Sequence, residues 1–223
     1  MLVAPVDDSA LALQAVGLEP GDSSALGDSG ADSLLYVIAG GGLVRLDGGV
    51  HELREGSAAL VLAGEDATID SDEGLELMVA TVGPDVDRHA PMGPRQFVVP
   101  FDVAGAQSAT GARSFQILFG PHNGSTRATL FAGFVPPGKA PWHYHLYDEV
   151  VFVPAGPGRL HVGDTTTELD AGSAFRLRPR QVHIVENSSA DRDLTVIGVF
   201  TPAGSPSAAY LTADAAAEHR FAG

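Results

Sequence analysis

The sequence contains no cysteine among its 223 residues, and this absence excludes disulfide bonds and thiolate metal sites. It also lacks an uninterrupted apolar run of about eighteen residues, the length that a membrane-spanning helix needs. The first residues, Met1 to Asp8, have no basic segment of the kind that opens a secretory signal. We therefore expect a cytoplasmic protein without a membrane span.

Basic residues are few, with 13 Lys and Arg against 28 Asp and Glu, and the formal net charge is −15. A field of this sign repels nucleic acid and anionic membranes, so we expect neither as a partner. Hydrophobic residues make up 44% of the chain, which is enough for a folded core. The 27 glycines and 15 prolines are typical of a chain with many turns and favour an all-β fold.

One stretch of sequence occurs twice. An apolar run that closes in Ala-Gly ends at Gly40 and again at Gly156, and the triplet Gly-Ser-Ala begins at Gly56 and again at Gly172. Both pairs of glycines are 116 residues apart, since 156 − 40 and 172 − 56 are both 116. Such a constant offset predicts a duplicated β-module. We place the boundary near Ala104, which gives domains of residues 1–104 and 105–223.

Each copy reads as short strands joined by turns, a pattern typical of jelly-roll barrels. In the first copy, residues 34–38 are predicted as a strand that the glycines at 40–42 turn back, and residues 43–46 as the returning strand. Asp47-Gly48-Gly49 predicts a hairpin. The alanine-rich tail, residues 207–219, is predicted as one short helix.

Two histidines, His143 and His145, lie two residues apart, and Glu149 follows with the same parity. Successive side chains of a strand point to opposite faces, so these three can point to one side. A further histidine, His183, would have to come from another strand. Three imidazoles and one carboxylate suit Mn, Fe, Ni, Cu or Zn better than Ca or Mg, so the pattern predicts one divalent transition metal.

These residues also carry a resemblance to a known family. The spacing Gly-x4-His-x-His-x3-Glu-x6-Gly over residues 138–156 resembles the first cupin motif, and Gly-x6-Pro-x-Gln-x-His-x3-Asn over residues 172–187 resembles the second. The first gap is one residue short, and Gln181 stands where glycine is common. The resemblance implies a bicupin with two tandem double-stranded β-helix barrels. It also implies metal ligands at four positions: His143, His145, Glu149 and His183.

The first copy lacks these ligands. An offset of 116 places Gly27, Ser29, Ser33 and Ala67 opposite the four ligand positions, and none of these is a metal-binding residue type. We therefore expect a metal-free N-terminal barrel that supports the second barrel.

Other polar residues near the motif have two interpretations each. Tyr147 shares parity with the ligands, so it can act in catalysis as an acid or hydrogen-bond donor, or can pack in the core. Gln181 can support His183 or form a turn. Arg176, Arg178 and Arg180 alternate on one strand, where one of them can bind a substrate carboxylate or all can face solvent.

Three functions fit a cupin metal site. In the first, a redox-active metal with two open positions takes a chelating small molecule and O₂, as in cupin dioxygenases, and Glu149 accepts the substrate proton. In the second, the metal acts as a Lewis acid in an isomerase, cyclase, lyase or aminohydrolase. In the third, the protein binds a small molecule without turnover. A closed tetrahedral zinc site is the chemically inactive alternative. The resemblance also implies a homodimer.

Overall fold

The computed structural model describes residue 3 and residues 9–102, 105–109 and 112–213. These residues form nineteen β-strands, which confirms the predicted all-β class. They include no helix that is long and apolar enough to cross a membrane. The predicted boundary at Ala104 and residues 214–219 of the predicted C-terminal helix lie outside the described residues. Within that predicted helix, Tyr210–Leu211 is a short strand instead.

The first seven strands build one barrel. Strands β3 and β6 are long and pair with each other along nearly their whole length, while β1 and β5 flank one end and β2 and β4 the other. The strands are β1 (Leu11–Leu18), β2 (Ser23–Leu26), β3 (Asp32–Leu46), β4 (Gly49–Arg54), β5 (Ala58–Val61), β6 (Ala67–Val82) and β7 (Val98–Val99).

The remaining strands form two six-stranded sheets that face each other as the second barrel. One sheet has the order β16-β13-β18-β10-β9-β8, and the other the order β15-β14-β17-β12-β19, with β11 also paired to β17. The strands are β8 (Gln107–Ser108), β9 (Ser114–Phe119), β10 (Thr129–Val135), β11 (Gly138–Lys139), β12 (His143–Tyr144), β13 (Asp148–Phe152), β14 (Gly158–Val162), β15 (Thr165–Leu169), β16 (Ala174–Leu177), β17 (His183–Asn187), β18 (Leu194–Thr201) and β19 (Tyr210–Leu211).

The glycines at 40–42 do not turn the chain, so that prediction was wrong. They lie inside β3, at a point where its register against β6 shifts. Gly40 has a φ of 82°, and a Cβ there would lie 1.9 Å from the carbonyl oxygen of Gly74. The glycines therefore allow a bulge and a close strand approach, and β3 continues from one side of the barrel to the other. The hairpin prediction is confirmed, since Asp47 and Gly48 both have the positive φ of a type I′ turn.

The duplication is visible in the backbone. Gly56 and Gly172 have φ values of 80° and 81°. The amide of Gly56 donates to the carbonyl of Val37, and that of Gly172 donates to Val153, both at 2.9 Å. The offset of 116 found in the sequence therefore relates matching turns of two equivalent barrels.

Alternate side chains of β3 belong to two different hydrophobic cores, one inside the first barrel and one between the two barrels. In β3, Leu35 and Val37 point into the first barrel, whose interior is filled by apolar side chains. Leu34 and Tyr36 point outward into a core that is shared with residues of β10, β13 and β18 of the second barrel. Both faces are thus buried, which explains the uninterrupted apolar run. The predicted metal-free and supporting role of this barrel stays a prediction, as does the division into domains.

Candidate metal centre

The three histidines of the motif meet inside the second barrel. His143 lies at the start of β12 and pairs directly with His183 at the start of β17. His145 follows β12 within the same turn into β13. One ring nitrogen from each of the three lies within 4.8 Å of the others, and all three residues are at most 5% exposed. The structure therefore brings together side chains that are 40 residues apart in sequence, since 183 − 143 is 40.

Backbone carbonyls orient two of the imidazoles. Nδ1 of His143 lies 2.8 Å from the carbonyl oxygen of Pro141, and Nδ1 of His183 lies 2.9 Å from that of Gln181. A ring nitrogen facing a carbonyl must carry the proton, so Nε2 of each ring keeps its lone pair for a ligand. Gln181 has both of the roles considered for it, because its side chain also accepts from the amide of Arg178 and closes the turn.

The third imidazole is held by stacking. The His145 ring lies 4.4 Å from the Tyr147 ring at an interplanar angle of 12°, and Tyr147 stacks in turn on Phe200. Nδ1 of His145 is buried without a hydrogen-bond partner and lies 3.4 Å from a carboxylate oxygen of Glu149. A buried polar atom without a partner is costly, and a bound cation is one way to satisfy it.

Burial keeps the three imidazoles neutral at physiological pH. It lowers the pKa of His143 to about 3, that of His145 to about 2 and that of His183 to about 4. Repulsion from the neighbouring His183 lowers the pKa of both His143 and His145 further. Neutral imidazole is the form that binds metals, so no proton has to leave these rings when an ion binds.

Glu149 lies beside the histidines rather than within their compact group. Its contact is with His145, and burial raises the pKa of its carboxyl to about 8. The positive charge of Arg113 partly opposes this rise. Burial likewise raises the pKa of Tyr147, so its hydroxyl stays protonated and can only donate or accept a hydrogen bond. The ligand role of Glu149 and the catalytic role of Tyr147 stay predictions.

The histidines open onto a cavity of about 80 Å³. Its walls are mostly aromatic and aliphatic, with Phe115, Phe131, Phe134, Val151, Leu177 and Val185 among them. Arg113 also lines the cavity, and Nη1 of its guanidinium lies 3.2 Å from Nε2 of His143.

No pattern in the sequence singled out Arg113, which lies nine residues after the predicted boundary near Ala104. The arginines suggested as carboxylate binders are elsewhere. Arg176 holds Asp148 through two hydrogen bonds of 3.0 and 2.7 Å. Neither it nor Arg178 or Arg180 is among the described residues that line the cavity.

Residues 131–200, which contain all four predicted ligand positions, match the cupin domain family. The C-terminal barrel is a cupin domain. Strand order and the repeated turns give the N-terminal barrel the same fold, so the chain consists of two tandem cupin barrels.

Solved structures support the cupin fold over most of the chain. AerE from Microcystis aeruginosa is 13% identical with a TM-score of 0.71, over 86% of this chain and 88% of that protein. A variant of oxalate decarboxylase from Bacillus subtilis is 16% identical with a TM-score of 0.69, over 92% and 71%. A variant of salicylate 1,2-dioxygenase from Pseudoaminobacter salicylatoxidans is 9% identical with a TM-score of 0.70, over 86% and 71%. No curated protein sequence matches the chain.

The cupin site fits a metal on its own chemistry. Two Nε2 lone pairs are oriented by backbone carbonyls, and a third imidazole nitrogen is buried without a partner. Three neutral nitrogen donors close together favour a transition metal over Ca or Mg. The triad is therefore able to hold one divalent metal.

Proposed function

We propose that this cupin protein is a metal-dependent enzyme of dioxygenase type that acts on a small metal-chelating molecule. The observation that carries the proposal is the convergence of three neutral imidazoles on one side of a largely apolar cavity. Such a site leaves room for a ligand beside the metal, whereas a closed structural zinc site does not. A redox-active metal bound there supplies a means of activating O₂ next to the substrate.

Glu149 is the proposed proton acceptor and a fourth metal ligand. Its carboxyl is buried next to His145, and burial raises its pKa to about 8 in the metal-free site, a value that a bound cation would lower. A base works best when its pKa is near the working pH. A chelating substrate that loses a proton on binding could transfer it to this oxygen.

Tyr147 is the proposed hydrogen-bond donor of the site. Its ring is fixed between His145 and Phe200, and it lines the cavity. Because the phenol stays protonated, its part is to orient a substrate oxygen rather than to remove a proton.

The cavity itself favours a compact substrate. Its volume of about 80 Å³ is smaller than the roughly 150 Å³ engineered cavity that holds benzene. Apolar walls exclude water from the reacting atoms and strengthen electrostatic interactions with the substrate.

A second candidate is a non-oxidative reaction, such as that of a lyase. The compact cavity and the likeness to oxalate decarboxylase, an enzyme named for a two-carbon acid, favour it. In this case the metal is a Lewis acid, and the same residues bind and orient the substrate.

Metal analysis and oxygen uptake separate the candidates. Purified protein is analysed by mass spectrometry, with one metal ion per chain expected, and its mass in solution tests the predicted homodimer. Oxygen consumption is then followed with a panel of small hydroxy acids, diketones and catechols. His183→Ala is the control, because removing one imidazole should abolish both metal retention and turnover.

Each outcome points to one function. Iron, nickel or copper together with substrate-dependent oxygen uptake supports the dioxygenase. Manganese or zinc, with product formed and no oxygen consumed, supports the non-oxidative enzyme. Tight binding of a small molecule without any product would contradict both and leave a binding protein.

A further inference from the structure

Arg113 projects from outside the cupin motif into the cavity. It lies just before β9, and its guanidinium reaches the innermost part of the site. Nη1 donates a hydrogen bond at 3.2 Å to Nε2 of His143, the unprotonated nitrogen that a metal would bind. Any ligand bound to an ion on that nitrogen is therefore within reach of the guanidinium.

Among the described residues that line the cavity, a bound divalent ion would leave more positive than negative charge. Among the described lining residues, Arg113 is the one permanent cation and Glu149 the one carboxylate, since the three histidines are neutral. Adding a divalent ion gives a net charge of about +2, because +2 and +1 are offset by −1 at most. A divalent ion on the histidines and the guanidinium of Arg113 would repel each other at such short range.

A ligand with negative charge removes this repulsion. A carboxylate placed between the metal and Arg113 contacts both, and guanidinium is the side chain best shaped for carboxylate oxygens. A neutral chelator would leave the two positive charges facing each other. The low exposure of the site strengthens both effects, because water screens them less.

We propose that Arg113 is the substrate-binding residue that selects an anionic, carboxylate-bearing chelator at the metal. This inference rests on the proposed function, because it names the substrate class of the same cavity. It differs from the sequence-based suggestion that an arginine at 176, 178 or 180 has this role, and Arg176 is already engaged with Asp148.

The test measures binding rather than turnover. Cobalt-loaded protein is titrated with glycolate and with glycolamide, its neutral amide of nearly equal size, by calorimetry and by the visible spectrum of the cobalt. Wild type should bind glycolate about tenfold or more tightly than glycolamide, the size expected when a charge-assisted hydrogen bond is made. Arg113→Met should lose about tenfold of this preference and keep only the part that the cobalt itself contributes, because an amide is a weaker ligand than a carboxylate. Arg113→Lys, which keeps the charge without the planar fork, should restore part of the loss.

Arg45→Met is the matched control, because Arg45 lies in the first barrel and pairs with Asp70 on the surface. It should leave the preference for glycolate unchanged. Cobalt content and the far-ultraviolet circular dichroism of every variant check that the site and the fold survive. Arg113→Met should hold cobalt at the wild-type stoichiometry, since Arg113 is not a ligand.

The outcomes separate this inference from the proposed reaction. An unchanged glycolate preference in Arg113→Met, or equal binding of both probes by wild type, would overturn the role of Arg113 even if the enzyme consumes oxygen. Loss of the preference in a protein that never consumes oxygen would support Arg113 and contradict the dioxygenase. A wild-type protein that binds neither cobalt nor glycolate would overturn both.

Discussion

Replacing Glu149 by glutamine should have opposite effects on the metal-free and metal-loaded protein. Burial raises the folded-state pKa of Glu149 from its ordinary 4.5 to about 8, so the folded protein keeps a proton that the unfolded chain releases. The contribution of Glu149 to stability is therefore fully present below pH 4.5 and is lost as the pH rises through about 8. Each pH unit in this range changes the free energy of unfolding by about 1.4 kcal/mol.

From pH 4.5 to pH 7 is 2.5 pH units, so the free energy of unfolding of the wild-type protein falls by about 3 kcal/mol over this range. Glu149→Gln should not show this loss. For a chain of this size each kcal/mol shifts the melting temperature by about 2 to 4 °C, so the metal-free variant should melt about 6 to 12 °C higher. At pH 5 the gain should fall below about 1 kcal/mol. The lowered histidine pKa values cost both proteins stability as the pH falls below 6.5, so they cancel in the comparison.

Thermal melts of chelator-treated protein at pH 5 and pH 8 measure this effect, and added manganese should then stabilise wild type more than the variant. An amide is a weaker ligand than a carboxylate, so the variant should also lose metal faster to a chelator. Glu168→Gln, at an exposed position on β15, is the matched control and should change neither measurement. Equal melting of metal-free wild type and Glu149→Gln at pH 8 would refute the burial argument, and equal metal retention would refute the ligand assignment.

Three further predictions concern the fold and the triad. His183→Ala should weaken metal binding by more than about a hundredfold, since loss of a mere supporting contact costs ten- to a hundredfold, and competition with a chelator measures it. Gly40→Ala should cost at least about 2 kcal/mol in urea unfolding because its Cβ would meet a backbone oxygen, whereas Gly17→Ala, with open space around it, should stay within about 0.5 kcal/mol. Arg127→Met leaves Asp32 buried without its 2.8 Å partner and should cost about 3 to 5 kcal/mol, part of which the added Asp32→Asn should recover.

Residue type and local spacing predicted the parts of this cupin that depend on neighbours in sequence. Gly56 and Gly172, whose spacing predicted the duplication, adopt nearly the same positive φ. The i, i+2 spacing of His143 and His145 brings both rings to one side, and their positions relative to His183 matched a family pattern in which the strands meet. These features depend on the alternation of side chains along a strand and on the handedness of the backbone, and both are local properties of any short segment.

The wrong prediction, a turn at the glycines 40–42, concerned a feature that depends on the neighbouring strand. A glycine with positive φ serves a turn or a bulge equally well, and only the approach of β6 determined that Gly40 belongs to a bulge. The sequence also could not indicate which face of β3 lies inside its own barrel and which lies against the second barrel, because Leu34 and Leu35 are equally apolar.

The sequence by itself determined the duplicated β-architecture and the pairing of His143 with His145, because both follow from short spacings and from an offset constant along the chain, and the family pattern added His183. Only the tertiary structure decided the charge of the cavity. Arg113 reaches His143 across 30 residues of intervening chain, with no motif linking the two. Long-range packing alone sets that distance, so no local pattern in the sequence could reveal it.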